Sequence, residues 1–134
     1  MCFIVTLAFV LDAPDAAWSQ DVSAPSSGPA LVKAVMCESI QKLTPANQAV
    51  VFSIDLGRVS CFTDFDQVVK QTVIRHKWYH RGKLIFVKQL SLNPPRGSSF
   101  SSMQLREADK GPWQVDVTDE SDKLLYTLRF SITD

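Results

Sequence analysis

Two histidines and three cysteines have the widest chemical range of any residues in this 134-residue chain, and their spacing restricts what they can do. His76 and His80 stand four apart in VIRHKWYHRG, a stretch that alternates sides like a strand. Four strand residues span about 13 Å, so the pair cannot share one metal ion unless the chain turns back sharply, and no further ligand stands at metal-site spacing. Cys37 and Cys61 have no CxxC arrangement, the usual mark of redox catalysis. A Cys–His dyad between His76 and either thiol stays open, with no motif in its favour. Ser98, Ser99, Ser101 and Ser102 lack any GxSxG or SxxK context and read as hydroxyls on a strand. No glycine loop of phosphate-binding type is present. No catalytic residue, metal ligand or cofactor site is therefore expected.

The elements that would position these side chains are strands. From Thr72 to Tyr79, period two sends Thr72, Ile74, His76 and Trp78 to one side and Val73, Arg75, Lys77 and Tyr79 to the other. The first set reads as core, with Trp78 as its keystone and His76 as a structural histidine. The second reads as wet, the Arg and Lys stems covering apolar surface while their charges stay in water. His80 to Lys83 is a short polar connection in which Gly82 supplies a positive φ, and Leu84 to Leu92 is the return strand of a hairpin.

Upstream, Leu31 to Ile40 reads as a first strand ended by a turn at Thr44-Pro45-Ala46-Asn47. Gln48 to Leu56 alternates as a second, Val59 to Thr63 is a short third, and the long strand runs from Val68 to Tyr79. Downstream, the Pro94-Pro95 pair interrupts any ladder, Ser98 to Leu105 resumes it, and Trp113, Val115 and Val117 form the apolar face of the next strand. In the last strand Leu124, Tyr126, Leu128, Phe130 and Ile132 are all even-numbered, and period two wins over period 3.6. Short alternating strands broken by turn residues, with no defensible helix, predict an all-β protein: an antiparallel, immunoglobulin-like β-sandwich of about seven or eight strands over residues 31–134.

Composition agrees with one globular domain, since 46% of the chain is hydrophobic and its formal net charge is zero. Cys2 to Leu11 is an apolar run too short to span a bilayer and suited to a signal-peptide core, although no basic residue precedes it. Ala17 and Ser19 fit the small-residue pattern before a cleavage point, which predicts a signal peptide over 1–19, a flexible lead over 20–30 and a periplasmic or secreted mature chain without a transmembrane span. A buried N-terminal strand is the alternative. In an exported chain, Cys37 and Cys61 would be paired in a disulfide, with two buried free thiols as the other reading.

Charge is distributed in blocks. Between Gln67 and Arg106 there are eight basic residues and no acid, whereas Glu107 to Asp134 holds seven acids against three bases. The blocks either face each other across a sheet or leave a basic surface for an anionic partner, formed by Arg75, Lys77, Tyr79, Arg81 and Arg96.

Taken together, Cys37, Cys61-Phe62-Thr63, His76-Lys77-Trp78-Tyr79 with Gly82, Phe100-Ser101-Ser102, Gly111-Pro112-Trp113-Gln114-Val115 and Phe130 resemble a bacterial family known as domain of unknown function 2914. The resemblance runs from about Leu31 to Ile132. It departs where family members have a basic residue on each side of the aromatic-Ser-Ser segment, for here Ser98 and Met103 stand there and Arg96 is displaced. The resemblance implies an exported β module and no assigned activity. A non-enzymatic extracytoplasmic binding or interaction module follows as the expected function, with a protein or glycan partner and no nucleic acid. The alternatives are a carbohydrate-binding sandwich that stacks sugars on Tyr79 and, third, a hydrolase.

Overall fold

The computed structural model describes residues 28–134. The signal peptide expected over 1–19 and the lead from residue 20 to 27 lie outside the described residues. Nine strands form two sheets: β1 (Ala30–Gln41), β2 (Thr44–Gln48), β3 (Val51–Ser53), β4 (Arg58–Asp66), β5 (Thr72–His80), β6 (Lys83–Leu92), β7 (Gly97–Gln104), β8 (Gly111–Thr118) and β9 (Leu124–Thr133). The four-stranded sheet has the order β2-β1-β4-β7 and the five-stranded sheet β3-β9-β8-β5-β6. Neighbours β9, β8, β5 and β6 reproduce the G-F-C-C′ succession of variable-type immunoglobulin domains, with β1 and β4 beside β7 opposite them. The fold is an immunoglobulin-like β-sandwich.

Three local expectations needed correction. The turn before β2 is at Lys42 and Leu43, both at positive φ (52° and 56°), and Thr44-Pro45-Ala46-Asn47 belongs to the returning strand. Pro45 is accommodated because β2 is an edge strand. The alternation of Gln48 to Leu56 is not one strand: β3 stops after Ser53, whose side chain caps a 3-10 turn over Ile54–Leu56 that Gly57 ends at φ 77°. Finally, β3 pairs with β9 in parallel, so the sandwich is not wholly antiparallel.

The β5–β6 hairpin closes through Arg81 and Gly82, at φ 52° and 82°, the two left-handed residues of the tightest hairpin connection. Inward residues of both sheets make two adjoining apolar clusters. One gathers Met36, Phe52, Val59, Cys61, Trp78, Trp113, Val115, Phe130 and Ile132, and the other Phe65, Val68, Ile74, Leu92 and Val117. Trp78 is fully buried and meets the ring of Trp113 edge-on at 6.4 Å and that of Phe130 at 5.9 Å. Trp113 is 3% exposed, stacks on Phe130, and donates its indole N–H to the Asp109 carbonyl at 2.6 Å.

Candidate functional site: a sealed polar cluster and an open sheet edge

Between the two sheets lies a polar cluster that the alternation of β4, β5 and β7 dictates. Thr63 pairs with Ser99, and Cys61 with Ser101, so both serines share the inward face of β4 and confront the inward face of β5. There Ser101 Oγ is 2.7 Å from His76 Nδ1 and accepts the Trp78 indole N–H at 2.9 Å. On the other side of the ring, His76 Nε2 is 3.0 Å from Thr63 Oγ1, which lies 3.5 Å from the Ser99 carbonyl and 3.2 Å from Ser99 Oγ.

One proton arrangement gives every donor an acceptor. Trp78 donates to Ser101, Ser101 donates to Nδ1, the ring donates from Nε2 to Thr63, and Thr63 donates to the Ser99 carbonyl. The reverse tautomer would leave the Ser101 hydroxyl proton without a partner in the cluster, so the hydrogen-bond pattern assigns the ring proton to Nε2. Burial, with no carboxylate in contact, pulls the His76 pKa down from 6.5 to about 4.

The Ser101–His76 distance is that of a nucleophile and its base. His76 is nevertheless fully buried and Ser101 is 3% exposed, the serine is held by an indole as well, and none of the ring's partners is an acid that could stabilise an imidazolium. The arrangement ties two sheets together. His76 has no exposed surface, and Ser101, 3% exposed, borders an open depression between β6 and β7. Sequence reasoning missed the roles of Thr63, Ser99 and Ser101. The available signal was their inward phase on strands opposite a histidine, with Thr63 and Ser101 each inside a motif segment that carries the family resemblance.

His80, at the end of β5, stacks on Trp113 at 4.4 Å and bonds the Lys110 carbonyl through Nε2 at 2.9 Å, so the histidines serve separate ends of the strand. Among the described residues no three or more His, Cys, Asp or Glu side chains come together to hold a metal ion.

The cysteines do not form the expected bridge, and both are buried free thiols. Pairing of β1 with β4 sets Met36 opposite Cys61 and Cys37 opposite Ser60, so the two cysteines point to opposite faces of the sheet. Cys61 packs in the core with Trp78, on the strand where immunoglobulin domains carry the first cysteine of their inter-sheet disulfide. The facing strand β8 offers Trp113, Val115 and Val117 inward and no cysteine. Burial raises the pKa of both thiols, most strongly that of Cys61, so neither is a ready thiolate.

Of the residues expected on a ligand surface, Arg75, Lys77 and Tyr79 share the outward face of β5, with Arg81 at its turn. Arg75 donates to the Asp119 and Glu120 carbonyls at 3.2 and 3.3 Å, and Lys77 pairs with Asp122 at 2.6 Å. Arg81 donates to the Lys110 carbonyl at 3.2 Å and lies where a Cβ on Gly111 would be, which explains a glycine at φ 115° before Pro112 and Trp113. Arg96 is elsewhere, against Asp64 at 3.2 Å and Asp66 at 3.9 Å on β4. The basic block thus meets acids and carbonyls from other parts of the chain.

The exceptions are Lys70, exposed in the connection before β5, and the lysines of β6. Lys83 and Lys88 have no carboxylate partner among the described residues, and β6 ends the five-stranded sheet. Leu84, Ile85 and Val87 are 43–48% exposed, a concentration of apolar surface on a strand with one unpaired rim. Beside it, Lys88, Arg58, Phe100, Ser101, Ser102 and Gln104 line an open depression of about 390 Å³ where the β6 and β7 edges of the two sheets approach.

Fold and site define an immunoglobulin-like module with a closed interior and an open edge. Residues 71–132 match the family model described as "Protein of unknown function (DUF2914)", so the resemblance read from the sequence holds over that segment. No curated protein matches the chain. Among solved structures, a CARDB domain from Pyrococcus furiosus, in complex with di-metal ions, is 11% identical with a TM-score of 0.47, over 88% of this chain and 100% of that one. A β-glucosidase from Listeria innocua in complex with glucose is 10% identical with a TM-score of 0.44, over 87% of this chain. A β-glucosidase from Kluyveromyces marxianus is 14% identical with a TM-score of 0.41, over 57%. The chain spans 19% and 13% of the lengths of these two enzymes. Among the described residues no helix is long and apolar enough to cross a membrane.

Proposed function

We propose that this protein is a non-catalytic binding module that works outside the cytoplasm and engages a protein partner through the β5–β6 side of its five-stranded sheet. The observation that carries the reading is the cluster of exposed Leu84, Ile85 and Val87 on an edge strand whose lysines lack carboxylate partners among the described residues. Contiguous apolar surface rimmed by polar groups is the usual mark of a protein interface. A glycan surface needs exposed aromatic faces set side by side. Tyr79 is half-buried, and the exposed Tyr126 and Phe100 lie on different sheets, so a protein partner fits better. Export rests on the apolar run Cys2 to Leu11 and the small residues before Gln20.

Photo-crosslinking in the source cells tests the surface. A benzoylphenylalanine at position 87 is expected to capture a discrete partner, and the same group at Gln48, exposed on β2 of the other sheet, is expected to capture none. Equal yields at the two positions, or none at 87, would remove the reading.

A further inference from the structure

We propose that the partner is recognised as an extended acidic segment that adds to β6 as a further strand of the five-stranded sheet. This rests on the binding-module reading above and specifies how that surface works. Strand β6 is ten residues long, contains no proline, and has β5 on one side only. Its irregularity is confined to the hairpin end: Trp78 pairs with Phe86 and Tyr79 with Leu84, leaving Ile85 as the extra residue. Residues 86–92 then stay in regular register with β5, and their other rim of backbone donors and acceptors is free to template a strand.

Charge selects the occupant. Lys83 and Lys88 lie on the strand, Arg58 and Lys88 line the depression between β6 and β7, and no acid occurs between Gln67 and Arg106. Arg75, Lys77, Arg81 and Arg96 are committed to groups of this chain, which leaves Lys70 and the β6 lysines, and of these only the β6 pair lies on an edge strand. A second copy pairing β6 with β6 would bring two pairs of lysines to one seam with no acid to separate them, and like charges facing across strands are unfavourable. An added strand with acidic side chains at alternate positions would place them near Lys88 and Arg58, while its apolar residues cover Val87 and Leu84.

The test uses the full chain, isotope-labelled, and a synthetic ten-residue peptide alternating Val and Glu, with a Val–Lys peptide as control. Saturable binding of the Glu peptide is expected, weakened at least fivefold by Lys88→Glu and absent for the Lys peptide. At saturation, alternate amides within residues 86–92 should exchange at least tenfold more slowly. Binding without protection of β6 amides would overturn strand addition and leave the surface reading standing. Failure of the Glu peptide to bind while position 87 still crosslinks its partner would overturn the acidic-strand proposal alone. Protection of β6 that rises with protein concentration in the absence of peptide would show self-pairing and overturn it too.

Discussion

His76 Nδ1 and Ser101 Oγ, on opposite sheets, are 2.7 Å apart, and the same hydroxyl accepts the Trp78 indole N–H. One serine therefore serves two buried groups. Ser101→Ala leaves both without a partner, at about 1 to 3 kcal/mol for each buried unsatisfied group. A loss of about 2 to 6 kcal/mol is expected in denaturant melts, against at most about 0.5 kcal/mol for Gln104→Ala, exposed on the same strand.

Acid should act through His76. Its folded pKa lies near 4 against 6.5 for the free side chain, so between these values the unfolded chain binds the extra proton. The contribution of His76 is complete above pH 6.5, falls by about 1.4 kcal/mol per pH unit as the pH drops toward 4, and levels off below that. Melts of the native protein and of His76→Gln from pH 7.5 to 4 should differ by this slope. Equal slopes would show that the ring is not held neutral.

Trp78 and Trp113 anchor the larger apolar cluster. Trp78→Ala and Trp113→Ala should each cost about 3 to 5 kcal/mol, a large share of the stability of a small domain. Lys77→Ala, which breaks only the pair with exposed Asp122, should cost at most about 0.5 kcal/mol by the same melts.

Both thiols should resist modification in the folded protein and titrate as free in denaturant without reductant. A thiol assay before and after guanidinium reads this directly. Failure of Cys37 and Cys61 to titrate as free thiols in the denatured chain, counted apart from Cys2, would contradict their opposed orientation.

The strands that could be read from the sequence are those with one wet face. On β5 the alternation of Ile74, His76 and Trp78 against Arg75 and Lys77 reports the pleat directly, and the structure has the first three fully buried. Strand β4 gives no such contrast, because Ser60 and Phe62 are buried as well as Cys61 and Thr63, and its length from Arg58 to Asp66 was underestimated. The break after Ser53 depends on a serine cap and Gly57, both local signals that the apolar alternation of Phe52 and Ile54 masked. The hydroxyl cluster was hidden for a different reason. Thr63, Ser99 and Ser101 acquire a role only when two sheets bring them to one imidazole, and no spacing along the chain records that meeting. The cysteine pair misled because parity of count carries no direction, whereas strand register does.

On the proposed reading, function resides on the edge of β6 and not in the buried serine–histidine pair. The most direct measurement compares partner capture by the native chain with that by a variant carrying Leu84→Thr, Ile85→Thr and Val87→Thr, with folding checked by its melt. Threonine keeps strand preference while removing apolar surface, so a variant stable to within about 1 kcal/mol of the native chain is expected, with capture reduced at least tenfold. A folded variant that captures its partner as well as the native chain would contradict the account.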